Sequence, residues 1–346
     1  MRRLLRFSFG NFRSQIQFED LLDIYHALSR TDVLTIFDRN THSLFGRDAP
    51  NPVVLEPGER SKSWQSAEKI IQTALSLGLG RDSLLLGVGG GMICDLAAFS
   101  ASVYMRGCRL ILVPTSLLAM VDAAIGGKTA INIGGYKNMV GTFYPAEEIR
   151  MAIPVLKSLP PREFKAGLAE VIKTAMLGDA GLFKLLETKQ PEIMARDNQA
   201  LEEIVRRSIA VKGRIVEEDF KESGGRAVLN LGHTFAHALE AAGGLETWNH
   251  GEAVAWGLAK AVDLGLKLGA TDKEYARAVK KILSDYRYQL EVEEDIAVHE
   301  LIRAMHVDKK KKAGKLRLVI QRRICDTFLE HIEDALILEI LNQKRL

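Results

Sequence analysis

The apolar run from Ser83 to Val88 has strand length and stops at three consecutive glycines, Gly89-Gly90-Gly91. Apolar residues then return at helical spacing from Met92 to Met105, with Asp95 in the first turn, and Arg109 to Val113 is strand-like again. Upstream, Thr31 to Phe37 leads into Ile36-Phe37-Asp38, a buried strand closing on an acidic residue. A turn at Pro57-Gly58-Glu59-Arg60-Ser61-Lys62 separates it from a helical pattern through Ile70, Ile71, Ala74 and Leu77. Strand, helix, strand, helix predicts a parallel α/β layer. A glycine-rich turn between strand and helix brings backbone N–H groups and a helix N-terminus to a phosphate or pyrophosphate. Glycines also serve tight turns through φ freedom alone, but Asp38 at a strand end offers a carboxylate to ribose hydroxyls. In the common dinucleotide fingerprint the acidic residue follows the glycines by ~20 positions. Here it precedes them, so a different subtype of dinucleotide fold is expected.

Beyond Ser158-Leu159-Pro160-Pro161, where proline can open a helix at its first turn, nearly every segment reads helical. The expected division is therefore 1–158, an α/β domain, and 159–346, an α-helical one. In Pro161 to Met176 the stripe is Phe164, Leu168, Val171, Ile172 and Ala175. Glu170 and Lys173 lie off that stripe, where spacing alone predicts an exposed ion pair. A charged helix from Arg206 to Asp219 contains Lys212, and a polar connection leads on to Asn230. The stretch from Asn230 to Glu252 holds three of the eight histidines. His233 and His237 share a helix face, because successive residues turn by about 100°. Gly243 and Gly244 break that helix. Asn249 and Glu252 make a capping box that puts His250 in the first turn of the next. Two histidines alone are more often a core pair; three convergent ones point to a metal.

The 346 residues suffice for two domains and a large core. Lys plus Arg number 47 against 44 Asp plus Glu, so no basic field points to nucleic acid. Three scattered cysteines, Cys94, Cys108 and Cys325, fit a reducing compartment rather than a disulfide framework. No stretch reaches the ~20 apolar residues of a membrane span, and Met1 to Arg6 lacks the apolar core of a signal peptide, so a cytoplasmic location is expected. Gly126-Gly127-Lys128-Thr129 lacks the earlier glycine of a nucleotide-triphosphate loop. Lys128, Lys137 and Asn138, in glycine-rich loops, remain suitable for a small phosphate.

Taken together, G-G-G-M-I-C-D, R-G-C-R-L-I-L-V-P-T-S-L-L-A-M-V-D, G-G-K-T, Y-K-N-M-V-G-T-F-Y, L-P-P-R-E-F-K-A-G-L-A-E-V-I-K, L-N-L-G-H-T-F-A-H-A-L-E and H-G-E-A-V-A resemble the 3-dehydroquinate synthases, members of the sugar phosphate cyclases. The resemblance spans about Asp38 to Lys315. It implies a Rossmann-like NAD-binding domain, an α-helical domain holding a divalent metal (zinc or cobalt), an active site between them and a homodimer. The metal ligands it implies are Glu170, His233 and His250, with His237 moved to the phosphate-bearing end of the substrate. NAD contacts fall on Asp38, Asn40, Glu59, Lys62, Gly90, Gly91, Asp95, Thr115, Ser116 and Asp122. Substrate contacts fall on Arg106 (across the dimer), Lys128, Asn138, Lys173, Lys212, Arg226, Asn230 and His237, with Lys137 between cofactor and substrate. A lysine of the D-K-K run, Lys309 or Lys310, is implied to close over the phosphate.

The implied reaction takes 3-deoxy-D-arabino-heptulosonate 7-phosphate to 3-dehydroquinate by transient oxidation, phosphate elimination, re-reduction and aldol closure. Competing readings are a cyclase acting on sedoheptulose 7-phosphate or glucose 6-phosphate, and a metal-dependent NAD alcohol dehydrogenase. The first lacks the substrate carboxylate that Lys212 and Arg226 suit. The second typically has Asp where Glu170 stands. Departures from the family pattern are Ser116, Ala123, Tyr136, Pro145 and Phe220, the last in place of a common glutamate. The stretch before residue 30 lacks the family's usual glycine-containing strand.

Overall fold

A computed structural model describes residues 4–28, 33–46, 48–134, 136–243, 247–292, 296–308 and 315–342. Its contacts divide the chain into Met1–Phe164 with Lys212–Glu222, and Lys165–Val211 with Ser223–Leu346. Among the described residues the first unit is built on a seven-stranded sheet. Its members are β1 (Leu4–Phe9), β2 (Phe12–Phe18), β3 (Val33–Asp38), β4 (Pro52–Leu55), β5 (Leu84–Gly89), β6 (Arg109–Pro114) and, after a separate hairpin of β7 (Lys128–Ile133) and β8 (Tyr136–Phe143), β9 (Glu148–Met151). The order is β1-β2-β9-β6-β5-β3-β4, with every pair parallel except β1 against β2. β3 and β5 are buried nearly throughout, as strands covered on both faces must be. Helices α1 (Leu21–Leu28), α2 (Arg39–Phe45), α3 (Trp64–Ser76) and α4 (Gly91–Val103) connect them.

The order of strands explains why an acidic residue can precede the glycines. From β3 the chain crosses to β4 on one side and then to β5 on the other. The C-terminal ends of β3 and β5 therefore form a topological switch point, where open α/β sheets bind ligands. Phe37 pairs with Val88, so Asp38 and Gly89 end neighbouring strands. Asp95 lies just past the first turn of α4 rather than within it.

The second unit contains most of α5 (Pro161–Gly178), α6 (Ala180–Thr188), α7 (Gln190–Met194), the larger part of α8 (Asn198–Glu218), α9 (His233–Gly243), α10 (His250–Lys267), α11 (Lys273–Asp285) and α12 (Val298–Asp308). A hairpin of β10 (Lys315–Arg323) and β11 (Asp326–Glu333) follows, then α13 (Asp334–Asn342). The last turns of α8 and the loop after it belong to the first unit.

The stretch before residue 30 holds a β-hairpin, β1–β2, whose strands contain no glycine and which turns at Gly10 with φ +61. Two expectations are corrected. The helical part carries the β10–β11 hairpin, whose Gln321 side chain donates to the Met176 carbonyl at 2.8 Å. Lys128, Lys137 and Asn138 sit on the strands of β7–β8 rather than in loops. Among the described residues no helix is long and apolar enough to cross a membrane.

Two glycines set how closely α10 approaches its neighbours. A Cβ on Gly251 would stand 2.2 Å from Cα of Ala166, and one on Gly257 2.2 Å from the Gly232 carbonyl oxygen. Backbone cannot yield as a flexible side chain does. Gly251→Ala is expected to lower the unfolding free energy by about 1–3 kcal/mol, read from urea denaturation.

Candidate active site

Glu170 lies at the centre of α5, 1% exposed. Its Oε1 is 3.1 Å from His250 Nε2 and 3.4 Å from His233 Nε2. Its Oε2 is 2.5 Å from Lys173 Nζ. The pair predicted to be exposed is therefore buried, Lys173 included at 2%, because α9 and α10 cover the flank of α5 that its own periodicity leaves polar. Asn249 caps α10 by accepting from the Glu252 backbone at 2.8 Å, while Glu252 accepts from the Asn249 backbone at 3.0 Å. That capping box fixes His250 in the first turn of α10, as read from the sequence.

Glu170, His233 and His250 offer ligand atoms within 4.8 Å of one another. His237 is not among them, although its ring lies 5.5 Å from that of His233, centroid to centroid. Burial opposes ionisation of Glu170, but Lys173 and the imidazoles outweigh it and hold its pKa well below the usual carboxylate range. Burial, with Lys173, lowers His233, leaving the neutral ring that coordination needs. Burial also opposes charge on His250, yet the carboxylates of Glu170 and Glu240 push it up to about 10. A proton there balances the carboxylates when no cation does; a divalent ion would displace it.

Glu240 belongs to this surrounding, 3.7 Å from His250 Nδ1, and was not singled out from the sequence. The signal was present: Glu240 follows His233 by seven residues and His237 by three, on one face of α9. In the same unit, Arg226 is 2% exposed, and Asn230 ends the short 3₁₀ turn that carries it.

In the first unit Lys62 is buried, its Nζ 2.5 Å from both Asp95 Oδ2 and Asn138 Oδ1, and 3.9 Å from Glu59. Burial pushes Asp95 up to about 6 against the pull of Lys62. Asn132, also missed, ties this group together: its side chain donates to Glu59 Oε1 at 2.9 Å and accepts from the Asn138 backbone at 2.9 Å. Asn138 holds φ +57. Asp122 lies in a π turn, Ala119–Ala123, and takes Lys212 Nζ at 2.5 Å on its carboxylate and 2.6 Å on its carbonyl. Lys128 pairs with Glu222, which has φ +58.

At the switch point Gly90 caps α4 with no side chain of its own, and a Cβ there would meet nothing closer than Ser116 Oγ at 3.6 Å. Thr115 donates its backbone N–H to Gly89, and Gly91 opens α4. Asp38 Oδ1 is occupied in capping α2, accepting from Thr41 at 2.8 Å, and Asn40 is exposed beside it. Arg106 follows Met105 in a left-handed pair, φ +64 and +47. Lys137 is exposed on β8. Lys309 and Lys310 lie outside the described residues.

The fold matches two solved structures. The 2-deoxy-scyllo-inosose synthase structure, complexed with carbaglucose-6-phosphate, NAD+ and Co2+, aligns with TM-score 0.85 at 21% identity over 98% of this chain and 99% of that one. The 2-epi-5-epi-valiolone synthase of Streptomyces hygroscopicus subsp. jinggangensis, with NAD+ and Zn2+ bound, aligns with TM-score 0.85 at 24% identity over 98% and 99%. What this chain shares with them at those identities is the fold, a largely parallel sheet with a glycine turn at its switch point and a helical unit. Residues 52–166 match the family profile described as 3-dehydroquinate synthase N-terminal, and 167–311 its C-terminal counterpart. A 3-dehydroquinate synthase of Colwellia psychrerythraea is 44% identical over 272 residues, 79% of this chain and 77% of that protein. The chain belongs to the 3-dehydroquinate synthase family.

Calorimetric titration of the chelator-stripped protein with Co2+ is expected to give one tight site, abolished by His250→Ala and retained in His237→Ala. Equal loss in both would contradict the ligand set.

Proposed function

We propose that the chain converts 3-deoxy-D-arabino-heptulosonate 7-phosphate to 3-dehydroquinate and phosphate, using NAD and one divalent cation, zinc or cobalt. The observation that carries this reading is the Glu170–His233–His250 cluster, with Glu170 buried at its centre, in a chain of this family. One carboxylate and two imidazoles suit such an ion and leave coordination positions open, as catalytic sites do. The turn between β5 and α4 suits the dinucleotide, since Gly90 puts no side chain over the helix N-terminus and Asp38 ends the adjacent strand. When bound, NAD takes up and returns a hydride, and the cation polarises the substrate hydroxyls.

Lys173 neutralises one oxygen of Glu170 and leaves the other to face the imidazoles. Lys212 and Arg226 are assigned to the substrate carboxylate, Arg226 through its planar fork. Lys128, Asn138, Arg106 and His237 are assigned to the phosphate, Asn230 to the sugar. Lys212 is already desolvated against Asp122. A substrate carboxylate would therefore exchange with an existing partner rather than strip water from a free lysine, and Asp122, one-third exposed, returns toward solvent. The same carboxylate separates this substrate from those of the other cyclases.

Incubated with NAD, Zn2+ and the heptulosonate phosphate, the protein is expected to release inorganic phosphate without accumulating NADH. Release from sedoheptulose 7-phosphate alone would shift the reading to another cyclase; net NADH would shift it to a dehydrogenase.

A homodimer is part of the reading. All eight residues of β8 are exposed, Tyr136 at 63% and Met139 at 68%, and among the described residues its one strand partner is β7. An open edge carrying such residues is unusual unless paired. The double variant Tyr136→Glu, Met139→Glu is expected to halve the mass seen by light scattering; an unchanged mass would remove this edge from the interface. The cysteines are few and scattered, Cys94, Cys108 and Cys325, which fits a reducing compartment and supports a cytoplasmic location.

A further inference from the structure

We propose that Glu240 is a positioning residue, holding the imidazole of His250 in the orientation and tautomer that present Nε2 to the metal. The inference rests on the reading of Glu170, His233 and His250 as metal ligands. Each of the two histidines turns Nε2 toward Glu170 Oε1 and Nδ1 toward another oxygen. For His233 that oxygen is the Leu231 carbonyl, 3.2 Å away. For His250 it is the Glu240 carboxylate, 3.7 Å away. The latter distance is an ion-pair separation, within about 1 Å of hydrogen-bond length.

The two acceptors differ in kind. A backbone carbonyl fixes a ring's tautomer, whereas a carboxylate fixes it and also makes the opposite nitrogen a stronger donor. His233 is additionally anchored at the start of α9 through its own backbone neighbour. His250 stands on a different helix, α10, and Glu240 near the end of α9 is what spans the two helices at the ring. Glu240 is itself 8% exposed. A carboxylate so buried needs a polar counterpart, and the imidazole N–H supplies one.

The test uses the full-length protein stripped with a chelator and titrated with Co2+, comparing the unaltered chain with Glu240→Leu and Glu240→Gln. The readouts are Co2+ affinity by chelator competition and the visible d–d band of the loaded protein. Leucine fills the space without an acceptor. It is expected to weaken binding about 10–100-fold and to shift the band. Glutamine keeps an acceptor oxygen and is expected to lose less affinity. Glu240→Leu with unaltered affinity and band would overturn the proposal. If that variant fails to fold, Glu240→Gln decides: weakened binding with a changed band supports it, and no change in either overturns it. Failure of the unaltered protein to bind Co2+ would instead overturn the metal reading itself, and this inference with it.

Discussion

A carboxylate sealed inside a helical core is the condition on which the second unit depends. Glu170 sits where the apolar stripe of α5 gives way to its polar flank, and α9 and α10 close over that flank. Breaking a buried ion pair by removing one partner costs about 3–5 kcal/mol, so Lys173, His233 and His250 are as much a structural requirement of Glu170 as a functional one. The same requirement explains the close approach of α10 at Gly251 and the capping box that starts the helix at His250. Without them the imidazole would not reach the carboxylate.

The first unit meets a similar condition with other means. Lys62 is buried beside Asp95 at the side of α4, and Lys212 beside Asp122. In each case a lysine from outside the βα turn is fastened to a carboxylate on the helix or turn that follows a sheet strand. The Lys212 pair has a topological consequence: it belongs to the segment that returns from α8 to the first unit. Charge pairing and chain path meet here, since Asp122 receives the buried Lys212 on that returning segment.

Much of this was legible in the sequence where local rules govern. The strands β3 and β5, the glycine turn, the proline that opens α5 and the capping box at Asn249 all follow from spacing and residue type. The metal set did not follow from spacing. Periodicity assigns Glu170 to an exposed flank, and only the covering helices bury it; His233 and His237 share a face, yet only one turns its Nε2 to the carboxylate. Resemblance supplied Glu170, and in the structure its carboxylate and ligand atoms of His233 and His250 lie within 4.8 Å of one another. Asn132 went unread because it acts through Glu59, distant in sequence, and a lone amide carries no pattern; Glu240 does carry one, three residues after His237 on the same face of α9, but its partner His250 stands on the next helix. The terminal hairpins were missed for a related reason. Strand pairing is settled by a partner, and among the described residues β10 and β11 pair with each other.

The departure at Phe220 shows how such long-range facts resolve what looks anomalous along the chain. A phenylalanine where the family commonly has glutamate would, as an isolated change, expose an aromatic ring beside charged neighbours. Its ring instead lies 5.3 Å from Phe143, 6.2 Å from Phe9 and 6.3 Å from Phe12. Two of those rings come from the β1–β2 hairpin, and the turn at Gly10 brings backbone against Phe220 itself. The hairpin also holds the end of α8 directly, with Phe7 against Gly213 and the Ser8 N–H on Glu217 at 2.6 Å. A carboxylate at position 220, which is half-buried, would sit among these rings partly withdrawn from water. The apolar residue and the N-terminal hairpin are therefore one packing solution. It fixes the segment carrying Lys212 and Glu222 by aromatic contact, and it leaves the charge pairs of both residues intact.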